Sequence, residues 1–239
     1  MQLAKPWENF LKQSIDLQQF YAELNGFIRQ YDYILPDKDK IFAVFDYVLP
    51  ADIRCVLFGE DPYPRLASAC GVAFWDKEIN SWDDKTNGNS LKNILKALLV
   101  ARGKADYSTK IEATRAIARQ VQFKTPPQLF EHWLSQGVLL VNTSLTFSNS
   151  KTKKEHFEFW QPFHIKLIRA LNKRSSSPFY ILWGGKAARW EQEICQSIDN
   201  PEKIIKQGHP TFIHQFLDKS RPHFSPFSEI IEKTGLSWY

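Results

Sequence analysis

Short runs of apolar residues recur along the chain and are separated by stretches with helical spacing. Residues 53–58 (IRCVLF), 137–142 (GVLLVN), 179–183 (FYILW) and 203–206 (KIIK) are the strand candidates. The first three are near-continuous in apolar character rather than alternating. That pattern predicts strands buried on both faces of a parallel sheet. Residues 7–30 place Leu11, Ile15, Leu17, Phe20, Leu24 and Ile28 at roughly helical intervals. Further helices are expected over residues 39–47, 91–101, 127–135, 157–171, 187–198 and 226–234. The expected helix at 91 has Ser90 in front of it as its N-cap, and the one at 127 opens on prolines. Strands alternating with helices predict one α/β domain over residues 1–239, with a central, mostly parallel four-stranded sheet flanked by helices. Residues 76–89 (DKEINSWDDKTNGN) read as a polar loop. Residues 103–125 read as an insertion with helical potential around 111–121.

In such a fold, ligands bind at the carboxyl ends of the strands. Four polar segments are expected there: Gly59-Glu60-Asp61-Pro62-Tyr63, Asn142, Trp183-Gly184-Gly185 and Gly208-His209-Pro210-Thr211. Taken singly, each has an ordinary explanation. Asp-Pro starts turns, Asn142 can satisfy a loop, and His209 can cap a helix. Their convergence on one edge is the functional signal.

Composition narrows the classes. The 239 residues are 43% hydrophobic and 14% aromatic, enough for a full core without staples. The eight Trp and eighteen Phe fit a rich core and also offer base-stacking surfaces. The net charge of +5 is uneven: residues 1–150 carry 17 basic and 17 acidic side chains, residues 151–239 carry 14 and 9. A modest basic bias of this kind permits a polyanionic partner. No apolar run approaches the roughly 20 residues of a membrane span, and the first residues lack the apolar segment of a secretory signal. Cys55, Cys70 and Cys195 match no zinc or iron–sulfur spacing. Reduced thiols and a cytoplasmic location, or a nuclear one in a eukaryote, are expected. P-loop, dinucleotide, hydrolase-elbow and HExxH fingerprints are missing.

Seven collinear segments resemble the family-1 branch of the uracil-DNA glycosylases. LPDKDKIFAVFDYVLPADIRCVLFGEDPYP (35–64) resembles the approach to the family's GQDPYH motif. GVAFW (71–75) is similar to GLCFS, and SLKNI (90–94) matches outright. HWLSQGVLLVNTSLTF (132–147), FYILWGGKA (179–187), GHPTFIH (208–214) and RPHFSPFSEII (221–231) follow in the family's order.

The resemblance implies a monofunctional glycosylase that flips a pyrimidine out of DNA and hydrolyses its N-glycosidic bond. It implies Asp61 as the acid that positions water and faces the sugar cation, and His209 as the group that steadies the leaving base. Tyr63 would exclude thymine, Phe74 would stack on the base, and Asn142 would read its edge. Ser90, Gly185, Lys186, Ile213 and Arg221 are the implied DNA contacts, Ile213 as the wedge. Lys219 is a further phosphate candidate. The chemistry needs one carboxylate and one imidazole, with no metal and no cofactor. DNA, single- or double-stranded, is the expected partner of a monomer that binds no membrane. Small acidic DNA-mimic inhibitor proteins are also implied.

Five positions depart from the family pattern. Glu60 replaces Gln, Pro64 replaces His, Gly185 stands where a phosphate-binding Ser is frequent, and Thr211-Phe212 replaces Ser-Pro. An anion at 60 suits an exocyclic amine, which predicts weak uracil excision and a preference for a modified cytosine; if Glu60 points away from the base instead, uracil remains the substrate. The anion should also raise one pKa of the Glu60–Asp61 pair. A non-catalytic DNA-binding relative is the alternative. A lyase is not expected, because the motifs around Asp61 and His209 contain no lysine.

Overall fold

The computed structural model describes residues 1–85 and 88–239. Its centre is one sheet of four strands: β1 (Cys55–Gly59), β2 (Val138–Asn142), β3 (Phe179–Trp183) and β4 (Ile204–Gln207). All pairings are parallel and the order is β2-β1-β3-β4. Every residue of β1 and β2 is buried, as their continuous apolar runs require. The chain leaves β1 toward β2 on one side and leaves β3 toward β4 on the other. The crevice between the carboxyl ends of β1 and β3 is therefore the topological switch point, where α/β sheets bind ligands.

Helices cover both faces. The single helix expected over residues 7–30 is two, α1 (Lys5–Leu11) and α2 (Leu17–Ile28). The break is set by Asp16, whose Oδ1 accepts from the Gln19 amide at 3.0 Å and caps α2. Residues 39–47 form only a 3₁₀ turn and a short α3 (Val44–Tyr47). α4 runs Asn89–Ala101 with Gly88 as its N-cap, so Ser90 lies inside the first turn and does not cap it. The polar loop before α4 includes residues 86 and 87, which lie outside the described residues. α5 (Ile111–Gln120) occupies the insertion. α6 (Pro126–Ser135) begins where Gln128 Oε1 accepts from the Thr125 amide at 3.0 Å. α7 is longer than expected (Lys153–Asn172). The helix expected over residues 187–198 is split into α8 (Gly184–Ala188) and α9 (Glu191–Cys195). α10 (Ile213–Phe216) and α11 (Pro226–Thr234) complete the chain.

Most of the aromatic content is core. Trp7, Trp75, Trp133, Trp160, Trp183 and Trp238 are fully buried. Phe20 of α2 stacks on Phe163 of α7 with centroids 5.2 Å apart, and Phe27 stacks on Phe159 at 4.2 Å. Among the described residues, no helix is long and apolar enough to cross a membrane.

His164 of α7 is wholly buried beneath the carboxyl end of β2, against Phe58 and Trp190. Neither ring nitrogen has an aligned hydrogen-bond partner. Burial pushes its pKa down to about 3. The unfolded chain, with His near 6.5, takes up this proton first. The stability that neutral His164 contributes is therefore complete above pH 6.5 and is lost as pH falls toward 3. Urea titrations should show that decline, and it should be shallower in His164→Phe. An unchanged pH dependence in the variant would contradict the assignment.

Candidate active site at the carboxyl edge of the sheet

The four expected segments do meet at one edge. Gly59 and Asn142 are register partners on β1 and β2. The chain then turns, held by Thr143 Oγ1 donating to the Glu60 carbonyl at 2.6 Å and by the Ser144 amide donating to the same oxygen at 3.0 Å. These bonds fix the direction in which Asp61 leaves the sheet.

Asn142 is buried, yet its side-chain amide has no hydrogen-bond partner in the protein among the described residues. An amide in this state offers a donor and an acceptor to a ligand. Gly59 makes room for it: a Cβ there would collide with Asn142 Oδ1 and come within 2.8 Å of Ala73 Cβ. Gly59→Ala should displace the amide and lower single-turnover base release by about 10²-fold. Thermal melting would show whether the fold survives, and full activity in a folded variant would refute the role of Asn142.

Phe74 has φ of 65°, a left-handed conformation that bulky residues rarely adopt. Strain of this kind concentrates at ligand sites. Its ring meets Trp183 edge-on at 5.5 Å and lies tilted to His209 at 6.3 Å. Tyr63 donates its hydroxyl to the Phe74 carbonyl at 3.1 Å. Burial pushes the Tyr63 pKa up, which keeps that donor neutral. Arg65 clamps the segment from outside, with Nη2 at 2.7 Å from the buried Asp76 carboxylate.

His209 has a defined tautomer. Its Nδ1 accepts from the Thr211 amide at 3.1 Å, so the ring proton sits on Nε2. Burial lowers its pKa, against the opposing charge of Glu60. The ring is thus a neutral donor. Gly184, at φ of 80°, lets β3 pass close to it, since a Cβ would approach His209 Cβ at 2.7 Å. Ser90 shares a hydrogen bond with Thr211 at 2.6 Å, and Asn93 Nδ2 donates to the Pro210 carbonyl at 2.6 Å. Ser90, expected to touch DNA, is thereby also a brace for the His209 loop.

Asp61 is largely buried, and the sequence motifs missed its partner. Lys153 Nζ, from the first residue of α7, lies 2.7 Å from Asp61 Oδ2 and 3.7 Å from Glu60 Oε1. The approach pairs charges without hydrogen-bond alignment. Lys186 Nζ lies 3.4 Å from Glu60 Oε1. Burial pushes the Asp61 carboxyl above its ordinary value, Lys153 opposes this, and Glu60 adds a smaller upward push. The expected rise within the carboxylate pair is present, with burial and not Glu60 as its main cause. The ground for dismissing a lyase fails, because a lysine does stand beside Asp61. Burial lowers the Lys153 pKa, but its two carboxylate neighbours outweigh that and leave it raised. It is held as an ammonium, a poor nucleophile.

The remaining expected DNA contacts are more dispersed. Gly185 has open space around it. Ile213 is partly buried against the core at the start of α10, while Phe212 beside it is half exposed. Arg221 pairs with Asp218 at 2.8 Å and lies over the Phe224 ring. Lys219 is exposed. Among the described residues, no group of three or more His, Cys, Asp or Glu side chains is placed to hold a metal ion.

Comparison with known proteins agrees with this layout. The family profile described as Uracil DNA glycosylase superfamily matches residues 45–233. A protein named uracil-DNA glycosylase from Exiguobacterium sibiricum is 31% identical over 86% of this chain and 83% of its own length. Another of that name, from Alkaliphilus oremlandii, is 31% identical over 93% of this chain and 88% of its own. The crystal structure of wild-type UNG from Nitratifractor salsuginis superposes with a TM-score of 0.70 at 28% identity, covering 88% of this chain and 85% of that one. The matched span contains both the strand edge that carries Asp61 and the loop that carries His209, and the chain belongs to the uracil DNA glycosylase superfamily.

Proposed function

We propose that the protein is a monofunctional uracil-DNA glycosylase. The observation that carries this reading is the fixed tautomer of His209, a neutral Nε2–H donor on the edge that also holds the Asp61 carboxylate. In the proposed reaction a uracil nucleotide is flipped into the crevice. Phe74 stacks on the base, the Asn142 amide reads its edge, and the Tyr63 ring crowds C5. Ile213, with Phe212 exposed beside it, fills the vacated stack.

The bond between N1 and C1′ breaks with its electron pair going to the base. Asp61 faces the sugar cation, and the His209 Nε2–H donates to the uracil anion. Water adds to C1′ and gives its proton to Asp61, which passes it to solvent, and the uracil anion takes up a proton from solvent in turn. The products are uracil and an abasic site with both phosphodiesters intact.

Glu60 is placed against cations and not against Tyr63, Phe74 or Asn142 among its polar contacts. That arrangement supports uracil over a modified cytosine as the base. The partners proposed are DNA and, through the family resemblance, small acidic inhibitors that imitate it. The proposed location is cytoplasmic, and a single-domain monomer is the proposed form.

The test is a panel of oligonucleotides carrying uracil, thymine, cytosine or 5-substituted cytosines, treated with alkali after incubation. Cleavage at uracil alone is expected. Cleavage confined to a substituted cytosine, or none at any base, would contradict the reading.

A further inference from the structure

Five of the fourteen cations in residues 151–239 line one cleft. A cleft of about 360 Å³ opens beside Asp61, with Lys151, Lys153, Lys154, Lys186 and Arg189 on its walls and Glu60 and Asp61 as its two anions. None of Tyr63, Phe74, Asn142 or His209 lines it, so it lies beside the residues proposed to hold the base and not among them.

The positive charge exceeds what the protein itself uses. Lys153 and Lys186 pair with the two carboxylates. Lys154 reaches only Glu158 on its own helix, at 3.6 Å with both side chains well exposed. Lys151 and Arg189 have no carboxylate within ion-pair distance among the described residues. Arg189 instead lies over the Phe157 ring, 5.2 Å from its centre, which holds the guanidinium at the cleft wall. Like charges packed this closely repel one another, and folding alone gains nothing from them. A polyanion gains a great deal, both from the attraction and from counterion release.

We propose that this cleft is a phosphodiester subsite for the strand that carries the flipped nucleotide, and that Glu60 is a resident anion which a DNA phosphate displaces from Lys153 and Lys186. The proposal rests on the glycosylase reading, because Asp61 places the sugar and the neighbouring phosphate lies one sugar away along the same strand. Lys153 then serves two anions. It pairs with Asp61 in the DNA-free protein and is shared with phosphate in the complex. Glu60 acts as a competitor in the cleft and reads no base.

This competition gives the two kinds of variant opposite signs. Removing unpaired cations weakens DNA binding and lowers its salt dependence. Removing the competing anion strengthens binding. Simple damage to the fold would weaken both.

The experiment is fluorescence anisotropy of the full chain with a labelled, uracil-free duplex, repeated across a salt series. The proteins are wild type, the double variant Lys151→Ala/Arg189→Ala, Glu60→Gln, and Lys12→Ala as a distant exposed control. The slope of log K against log salt should fall by about 0.9 for each phosphate that the double variant no longer neutralises. Lys12→Ala should keep the wild-type slope. Glu60→Gln should bind about threefold tighter or more at low salt. A wild-type slope in the double variant, or Glu60→Gln binding no tighter than wild type, overturns the proposal. Should the double variant fail to fold, Glu60→Gln alone decides. Uracil release by wild type, measured in parallel, tests the glycosylase reading separately from these slopes.

Discussion

Asp61→Asn is expected to lower single-turnover uracil release by about 10²–10⁴-fold without weakening DNA binding. In the proposed role the carboxylate acts on positive charge that develops only as the glycosidic bond breaks, so its loss falls on the rate and does not weaken ground-state binding. The environment of Asp61 also sets a pH signature. Burial, with a smaller push from Glu60, raises its pKa above the ordinary carboxylate value, and Lys153 limits the rise. The reactive form is ionised. The rate should therefore fall on acidification at a higher pH than an exposed Asp would give. Lys153→Met should move that limb to still higher pH, because the opposing cation is gone. Stopped-time assays with enzyme in excess over a range of pH measure both effects. Loss of binding in parallel with rate, or an acid limb indifferent to Lys153, would refute the role given to Asp61.

His209→Leu is expected to cost about 10²–10³-fold in the same assay. The Thr211 amide occupies Nδ1, so the ring's single donor is Nε2–H. Its value lies in meeting negative charge on the departing base without being ionised beforehand. Burial holds the His209 pKa below its ordinary value, so the ring loses its proton at a lower pH than an exposed histidine does. Any wild-type activity limb that belongs to His209 should lie below pH 6.5. His209→Gln, which retains an N–H donor, should recover part of the loss. A wild-type limb near pH 6.5 that vanishes in His209→Leu would instead assign His209 as an ionised catalyst.

The strands were readable in advance because a buried parallel strand needs an apolar residue at nearly every position, and 53–58, 137–142 and 179–183 have one. Helix ends were less readable because they depend on local capping. The break at Asp16 and the cap at Gly88, in place of Ser90, turn on single hydrogen bonds and backbone angles that periodicity does not encode. At the site, the strand-end residues could be placed because strand direction fixes which end carries the loops. Lys153 could not. It reaches Asp61 through tertiary packing of α7 against the β1 edge, and no motif spans that separation. The available signal was the cluster Lys151, Lys153 and Lys154 just ahead of an expected helix, where cations oppose the helix dipole. The same tertiary packing explains why Glu60 read as a base-facing anion, since the two lysines that hold it lie on α7 and α8.

The edge formed by Asp61, Asn142 and His209 is proposed to release uracil from DNA by hydrolysis. Mass spectrometric analysis of a uracil-containing duplex, with enzyme in excess and no alkali added, tests it most directly. Free uracil equal to the substrate consumed is expected, with a strand that stays whole until alkali is applied. Absence of free uracil from a folded, DNA-binding protein, or a strand cut without alkali, would contradict it.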